Sequence, residues 1–289
     1  MSELTIRPLH PALGAEVTGI DFAAPMDDAT FAAVHAAWME HLVLVFPNQA
    51  VTDDQHIAFA RRFGDLEIHH QDIIKSQAAP EIFRLSNVDD DGKMMPVDHP
   101  SIAQISLAQR WHTDSSFRPV PAMGSILHGL EVTDEGGVTC FTNMYDVYGA
   151  LDEGTQARIA DRKARHDFGH LAKLAPVKPL TAAERRAMPP VWQPMVRRHP
   201  VTNRTSLYIS PIYNDAIMDM NEGEAMDLLA RLTEHAGRDE FVYRHVWSPD
   251  DIVMWDNRCT MHQVTPYDLS RRRIMHRATV MGDGPVVAA

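Results

Sequence analysis

Trp111-His112-Thr113-Asp114 sets an imidazole and a carboxylate two residues apart. On a strand or at a strand end, residues two apart project to the same face. His112 and Asp114 can therefore offer a nitrogen and an oxygen to one ion. The third ligand must come from elsewhere in the chain, and His262 follows the strand-like segment that begins at Ile252. Two histidines and one carboxylate on one face leave three octahedral positions open, an arrangement suited to non-haem Fe(II) and oxygen chemistry. A His-X-Asp tripeptide by itself arises by chance, and a core histidine is its commoner explanation. The distal histidine and the arginines described next raise the metal reading above it.

Arg271-Arg272-Arg273-Ile274-Met275-His276-Arg277-Ala278-Thr279 carries the second half of the constellation. If it is a strand, Arg273, Met275, Arg277 and Thr279 share a face. Two inward arginines are costly unless each meets an anion. One reading is a solvated basic loop followed by a strand with an internal ion pair. The other is a pocket for a dicarboxylate beside the metal, because arginine grips a carboxylate through two parallel hydrogen bonds.

The elements that must position these residues are legible from periodicity and punctuation. Leu4–Leu9 reads as an edge strand closed by Pro8 and Pro11. Asp27 to about Glu40 has a helical apolar face, and Leu42–Phe46 reads as a buried strand. Thr52 with Gln55 forms a capping box opening a helix that stops before Gly64. Further helices are expected over about Val147–Lys163, near Ala182–Ala187 and over Glu222–Ala236, the last with Met226, Leu229 and His235 or Leu232 on one side and Gly237 as its stop. Short apolar or alternating runs at Ile82–Leu85, Ser125–Leu130, Thr139–Thr142, Pro194–Val196, Ser206–Ser210, Phe241–Trp247, Ile252–Trp255 and Ile274–Val280 read as strands. Many short strands separated by turns point to a sandwich or barrel, and a jelly roll with helices packed outside fits best.

Composition narrows the function. The chain has 289 residues, 45% hydrophobic and 23% charged, with 16 histidines and only two cysteines. That is ordinary globular composition without a disulfide framework. A formal charge of −12 disfavours nucleic-acid partners. No apolar run is long enough to span a membrane, and no secretory signal opens the sequence, so a cytoplasmic protein is expected. No dinucleotide fingerprint, Walker loop or Gly-X-Ser-X-Gly elbow is present.

With Trp111–Asp114, Gly136-Gly137-Val138-Thr139, Arg197-Arg198-His199-Pro200, Trp255–His262 and Arg273–Thr279 in this order, the sequence resembles the Fe(II)/2-oxoglutarate-dependent dioxygenases of the taurine dioxygenase and 2,4-dichlorophenoxyacetate dioxygenase family. The resemblance runs over nearly the whole chain. It implies a single domain over 1–289, mostly β with flanking α, built on a double-stranded β-helix (a cupin-like jelly roll), with a mobile lid over about 68–110. It implies Fe(II) held by His112, Asp114 and His262, the catalytic centre, with 2-oxoglutarate and O2 as cosubstrates. Arg273 and Thr139 match the residues that hold the distal carboxylate of 2-oxoglutarate. The family pattern Gly-Gly-Asp-Thr is replaced here by Gly136-Gly137-Val138-Thr139. Arg277 and His69 match an anion clamp for the substrate, Lys93 supplements it, and Phe168 and Tyr213 fall where relatives line the substrate pocket.

The implied reaction is oxidative decarboxylation of 2-oxoglutarate to succinate and CO2 coupled to hydroxylation of a small organic anion. An aryloxyalkanoate acid is the favoured substrate, with a taurine-like alkylsulfonate releasing sulfite as the alternative. Outside that class stand a non-catalytic jelly-roll binding protein and a zinc hydrolase on the same triad. Loss of one ligand or of Arg273 would signal the first, and neither is lost; the second does not need Arg273 with Thr139. Homo-oligomerisation is expected from the family. Asn87–Asp98 partly imitates a calcium loop, but Pro96 within it argues for a solvated turn. His166 and His170 are read as structural.

Overall fold

The computed structural model describes residues 4–68, 76, 79–89, 91–177 and 179–289. Its strands are β1 Thr5–Pro8, β2 Ala15–Thr18, β3 Val43–Phe46, β4 Ile82–Ser86, β5 Gly124–Glu131, β6 Thr139–Asn143, β7 Lys163–His166, β8 Val191–Pro194, β9 Val196–Arg198, β10 Thr205–Leu207, β11 Asn214–Ile217, β12 Val242–His245, β13 Ile252–Asp256, β14 Thr260–Val264 and β15 Ile274–Val280. The helices are α1 Asp28–His41, α2 Asp53–Ala60, α3 Pro100–Leu107, α4 Met144–Gly149, α5 Glu153–Ile159, α6 Leu171–Leu174, α7 Ala182–Ala187 and α8 Glu222–Ala236.

The larger sheet has the order β1-β2-β3-β13-β5-β15-β4, antiparallel except where β2 meets β3. A second antiparallel sheet, β12-β6-β14, lies against it. This is the expected jelly roll. β3 is apolar along its whole length, and β13 from Ile252 to Trp255, because both faces are covered. On β13, Val253 and Trp255 point between the sheets toward Phe141 of β6, while Ile252 and Met254 point outward under α1 and α2. β3 divides the same way, Val43 and Val45 inward and Leu44 and Phe46 outward.

The outer helices close that outward face. Asp27 caps α1 by accepting from the Thr30 N–H, and the Thr52–Gln55 capping box opens α2. Trp38 of α1 lies directly on β5, where Gly124 makes room: a Cβ there would come within 2.6 Å of the indole. A further layer packs α8, through Leu228, Leu229 and Leu232, against α4 and the short strands β9 and β10. No helix among the described residues is long and apolar enough to cross a membrane.

Two expectations are corrected. Val147–Lys163 is not one helix but α4 and α5, and Lys163 already belongs to β7. Gly149 weakens the helix there, and the Asp152 side chain accepts from the Thr155 N–H and starts a new one. On α8 the buried face is Ala225, Leu228, Leu229, Leu232 and Ala236, whereas Met226 is exposed. The segment expected as a lid is also not uniform. Ile82–Ser86 within it is a strand of the main sheet paired with β15, and residues 69–75 lie outside the described ones.

Candidate functional site

His112 and His262 meet across an isolated antiparallel bridge. The His112 N–H donates to the His262 carbonyl at 3.0 Å and the His262 N–H to the His112 carbonyl at 2.8 Å. The pairing brings the two imidazoles to centroids 4.1 Å apart with their planes tilted by 45°, and Asp114 lies two residues along the same chain. His112 Nδ1 donates to the Arg110 carbonyl at 2.8 Å, which leaves the Nε2 lone pair free. His262 Nδ1 is buried without a partner, and its Nε2 lies 3.8 Å from Asp114 Oδ2. Asp114 accepts from Ser125 Oγ and from Arg277 Nη1, each at 2.7 Å.

Electrostatics prepares these groups to ligate a cation. Burial lowers the pKa of both histidines and keeps them neutral, so the approach of His262 to Asp114 is not an ion pair. For Asp114, burial pushes upward, but the Arg277 charge and the Ser125 hydroxyl oppose it and hold its carboxyl below the usual carboxylate range. One ligand atom from each of the three residues lies within 4.8 Å of the others. Two neutral imidazoles and one ionised carboxylate, all buried, are a donor set that a divalent transition metal completes.

The alternation of β15 is as expected. Met275 packs between the sheets, Ala278 and Val280 pack outside, and Arg273 and Arg277 line the cavity that opens beside the three ligands. Arg273 is buried; its backbone N–H donates to Asn87 Oδ1, and its guanidinium lies 5.1 Å from the Tyr267 ring. Its Nη2 contacts the Gly137 carbonyl at 3.4 Å, and the Tyr267 hydroxyl is a second, uncharged polar neighbour. Among the described residues Arg273 forms no ion pair, and burial lowers its pKa, so the site lacks an anion for it.

Thr139 lines the same cavity. Trp247 Nε1 donates to its Oγ1 at 2.9 Å, and since the indole is donor only, the threonine O–H is left to donate elsewhere. Gly136 and Gly137 turn the chain into β6 at φ 70° and 64°. A Cβ on Gly137 would stand 3.2 Å from Arg273 Nε, so glycine lets the arginine lie against this turn. Val138, where the resemblance expects aspartate, keeps the turn: its N–H donates to Thr265 Oγ1 at 3.0 Å.

Phe168 and Tyr213 belong to the cavity wall, packed around Phe117 edge-on and tilted, at centroid distances of 4.7 and 5.0 Å. Thus His112, Asp114, His262, Thr139, Arg273, Arg277, Phe168 and Tyr213 are brought together. Lys93 is not: it is exposed on the turn after β4, where its N–H donates to Asp89 Oδ1, and it does not line the cavity. His69 lies outside the described residues. Sequence reasoning missed Ser125, Trp247 and Arg118. Only Ser125 left a signal, since it shares the inward face of its strand with Leu127.

A profile of the taurine catabolism dioxygenase TauD, TfdA family matches residues 5–279. The (S)-phenoxypropionate/alpha-ketoglutarate-dioxygenase of Sphingobium herbicidovorans is 37% identical over 96% of this chain and 95% of its own. The alpha-ketoglutarate-dependent 2,4-dichlorophenoxyacetate dioxygenase of Cupriavidus pinatubonensis is 38% identical over 97% and 98%. A crystal structure of AAD-2 in complex with Mn(II) and N-oxalylglycine superposes with a TM-score of 0.90 at 38% identity, covering 100% of both chains. The chain belongs to the taurine catabolism dioxygenase TauD, TfdA family.

Proposed function

We propose that the protein is an Fe(II)- and 2-oxoglutarate-dependent dioxygenase that oxidises an aryloxyalkanoate acid. The observation that carries this reading is one cavity holding three buried ligands with unspent donor atoms, a buried arginine without an anion, and an aromatic wall. His112, Asp114 and His262 hold the metal. When bound, Fe(II) supplies the activation of O2 that couples breakdown of 2-oxoglutarate to succinate and CO2 with oxygen insertion into the substrate.

The remaining residues bind and orient. Arg273 takes the distal carboxylate of 2-oxoglutarate and gains the counter-charge it lacks, while the Thr139 O–H, freed by Trp247, donates to the same group. Arg277 keeps Asp114 ionised and directs its other donors to the substrate acid. Phe168, Tyr213 and Phe117 receive the aryl ring, which favours an aryloxyalkanoate over a short alkylsulfonate. The named relatives above act on aryloxy acids, which supports the same choice. Hydroxylation at the carbon bearing the ether oxygen yields a product that collapses to a phenol and an oxo acid. The chain acts as one domain, and the segment around α3, which contributes Ile105 and Leu107 to the cavity, serves as its lid. Homo-oligomerisation and a cytoplasmic location are part of this reading, the latter in keeping with two buried free cysteines.

The test is succinate formation by anaerobically Fe(II)-loaded protein given 2-oxoglutarate, O2 and a panel of aryloxyalkanoates and alkylsulfonates. One phenol released per succinate with an aryloxyalkanoate is expected, and Arg273→Ala should abolish it. Sulfite release from an alkylsulfonate would replace the substrate assignment. Absence of decarboxylation with every candidate, and in substrate-free turnover, overturns the enzyme reading.

A further inference from the structure

Arg118 also lines the cavity, and nothing above uses it. Its main chain is held at both ends: its N–H donates to the Ser115 carbonyl at 3.0 Å, and its carbonyl accepts from Gln193 Nε2 at 2.9 Å. Beside it stands Glu67, a carboxylate only 4% exposed. The Glu67 N–H donates to the Thr279 carbonyl of β15 at 2.8 Å, and its Oε2 accepts from Ser115 Oγ at 2.6 Å. Ser115, next to the ligand Asp114, sits at φ 52°, so Glu67 also pins a strained turn at the metal centre. Burial raises the Glu67 pKa, and Arg118 is the first influence opposing it.

The pairing of Arg118 with Glu67 is incomplete. Arg118 Nε lies 3.3 Å from Glu67 Oε1, beyond the usual charge-assisted distance, and has no hydrogen-bonded acceptor. Its Nη groups have no acceptor among the described residues, and a third of the side chain is open at the cavity wall. Arg277, by contrast, has already committed one Nη to Asp114. Both arginines act electrostatically on Glu67 and on the Tyr213 hydroxyl, so their fields overlap where a substrate would lie.

We propose that Arg118 is a second anchor for the acid group of the substrate, sharing that anion with Arg277, and that Glu67 is the positioning residue that holds its guanidinium in place. The inference rests on the reading of the cavity as an organic-acid site. It makes the preference for a charged substrate a joint property of two guanidinium forks, and it assigns Glu67 a role in affinity although Glu67 touches no substrate.

The experiment measures binding by calorimetry on protein loaded anaerobically with Fe(II) and 2-oxoglutarate. The probes are an aryloxyacetate and its primary amide, which keeps the shape without the charge. Arg118→Gln should weaken the acid by about 10-fold or more and the amide by less than about 2-fold. Arg118→Lys should recover part of the loss, and Glu67→Gln should cost the acid a few-fold, about 3 to 5. Equal loss for acid and amide in Arg118→Gln, or an undiminished preference for the acid, overturns the inference alone. A wild-type protein that binds neither probe overturns the organic-acid reading beneath it.

Discussion

Among the described residues, two buried groups bring three ligand-type side chains within 4.8 Å of one another: His112, Asp114 and His262, and His199, Asp256 and Cys259. In the second group every donor and acceptor is spent inside the protein. His199 Nδ1 accepts from the Val201 and Thr202 N–H groups, which makes Nε2 the protonated nitrogen, and Nε2 donates to Asp256 Oδ2 at 3.0 Å. Arg258 grips both oxygens of Asp256. The Cys259 thiol is held far above its ordinary pKa by burial and by Asp256, so it stays protonated. In the first group, His112 keeps a free Nε2 and His262 a buried nitrogen without a partner. Burial and proximity are the same, and each group holds a histidine and an aspartate; beyond the exchange of a histidine for Cys259, what differs is the lone pairs that the neighbours leave over. One group is a structural lock, and the other keeps lone pairs with which it could hold a metal.

The sharpest way to break this contrast is to remove one member from each group. His112→Ala should lose bound Fe(II) and turnover to background, read by metal analysis after gel filtration, while the fold survives. Asp256→Asn should do the reverse: Arg258 is left buried without its counter-charge, costing about 3–5 kcal/mol in urea unfolding, while the folded fraction keeps its metal. Metal loss from Asp256→Asn at unchanged stability would erase the distinction.

A smaller effect tests the support of the ligands. Ser125→Ala removes the hydroxyl that donates to Asp114 Oδ2 and should weaken metal binding by about 10–100-fold with little change in melting temperature. The smallest effect concerns an unspent nitrogen that no carboxylate contacts, although Asp215 acts on its ring from a distance. His166 donates or accepts through Nδ1 at Ser116, its Nε2 is unpartnered, and burial lowers its pKa from 6.5 to about 3. The unfolded chain takes up a proton below pH 6.5 and the folded one does not until about pH 3, so stability falls as pH falls through that window. The loss from this group is about 1 kcal/mol per pH unit, and His166→Gln should lessen the pH dependence by that amount when urea stabilities at pH 7 and 5 are compared, while His56 keeps its own contribution. An equal pH dependence in the variant would show that His166 is not the titrating group.

Much of the fold was legible because its central elements advertise themselves locally. β3 and β13 are unbroken apolar runs, and α1, α2 and α8 open on capping residues. β7 and β11 were not legible: Lys-Ala-Arg-His and Asn-Asp-Ala-Ile carry no alternation of apolar residues, and only their antiparallel pairing makes them strands. α3 was missed as well, although His99 caps it and Pro100 opens it.

The site divides along the same line. Period-two projection relates His112 to Asp114, and Arg273 to Arg277, from spacing alone, because neighbours on one strand face are set by backbone geometry. The bridge between His112 and His262, the donation of Trp247 to Thr139, and the hold of Glu67 on Arg118 join residues far apart in the chain. Sequence spacing carries no information about such pairs, since their distance depends on how the two sheets pack and where the loops return. Along the chain, then, one can read which residue types are available and which face they share. Which of their lone pairs and charges remain unspent is decided only when the folded neighbours have taken theirs.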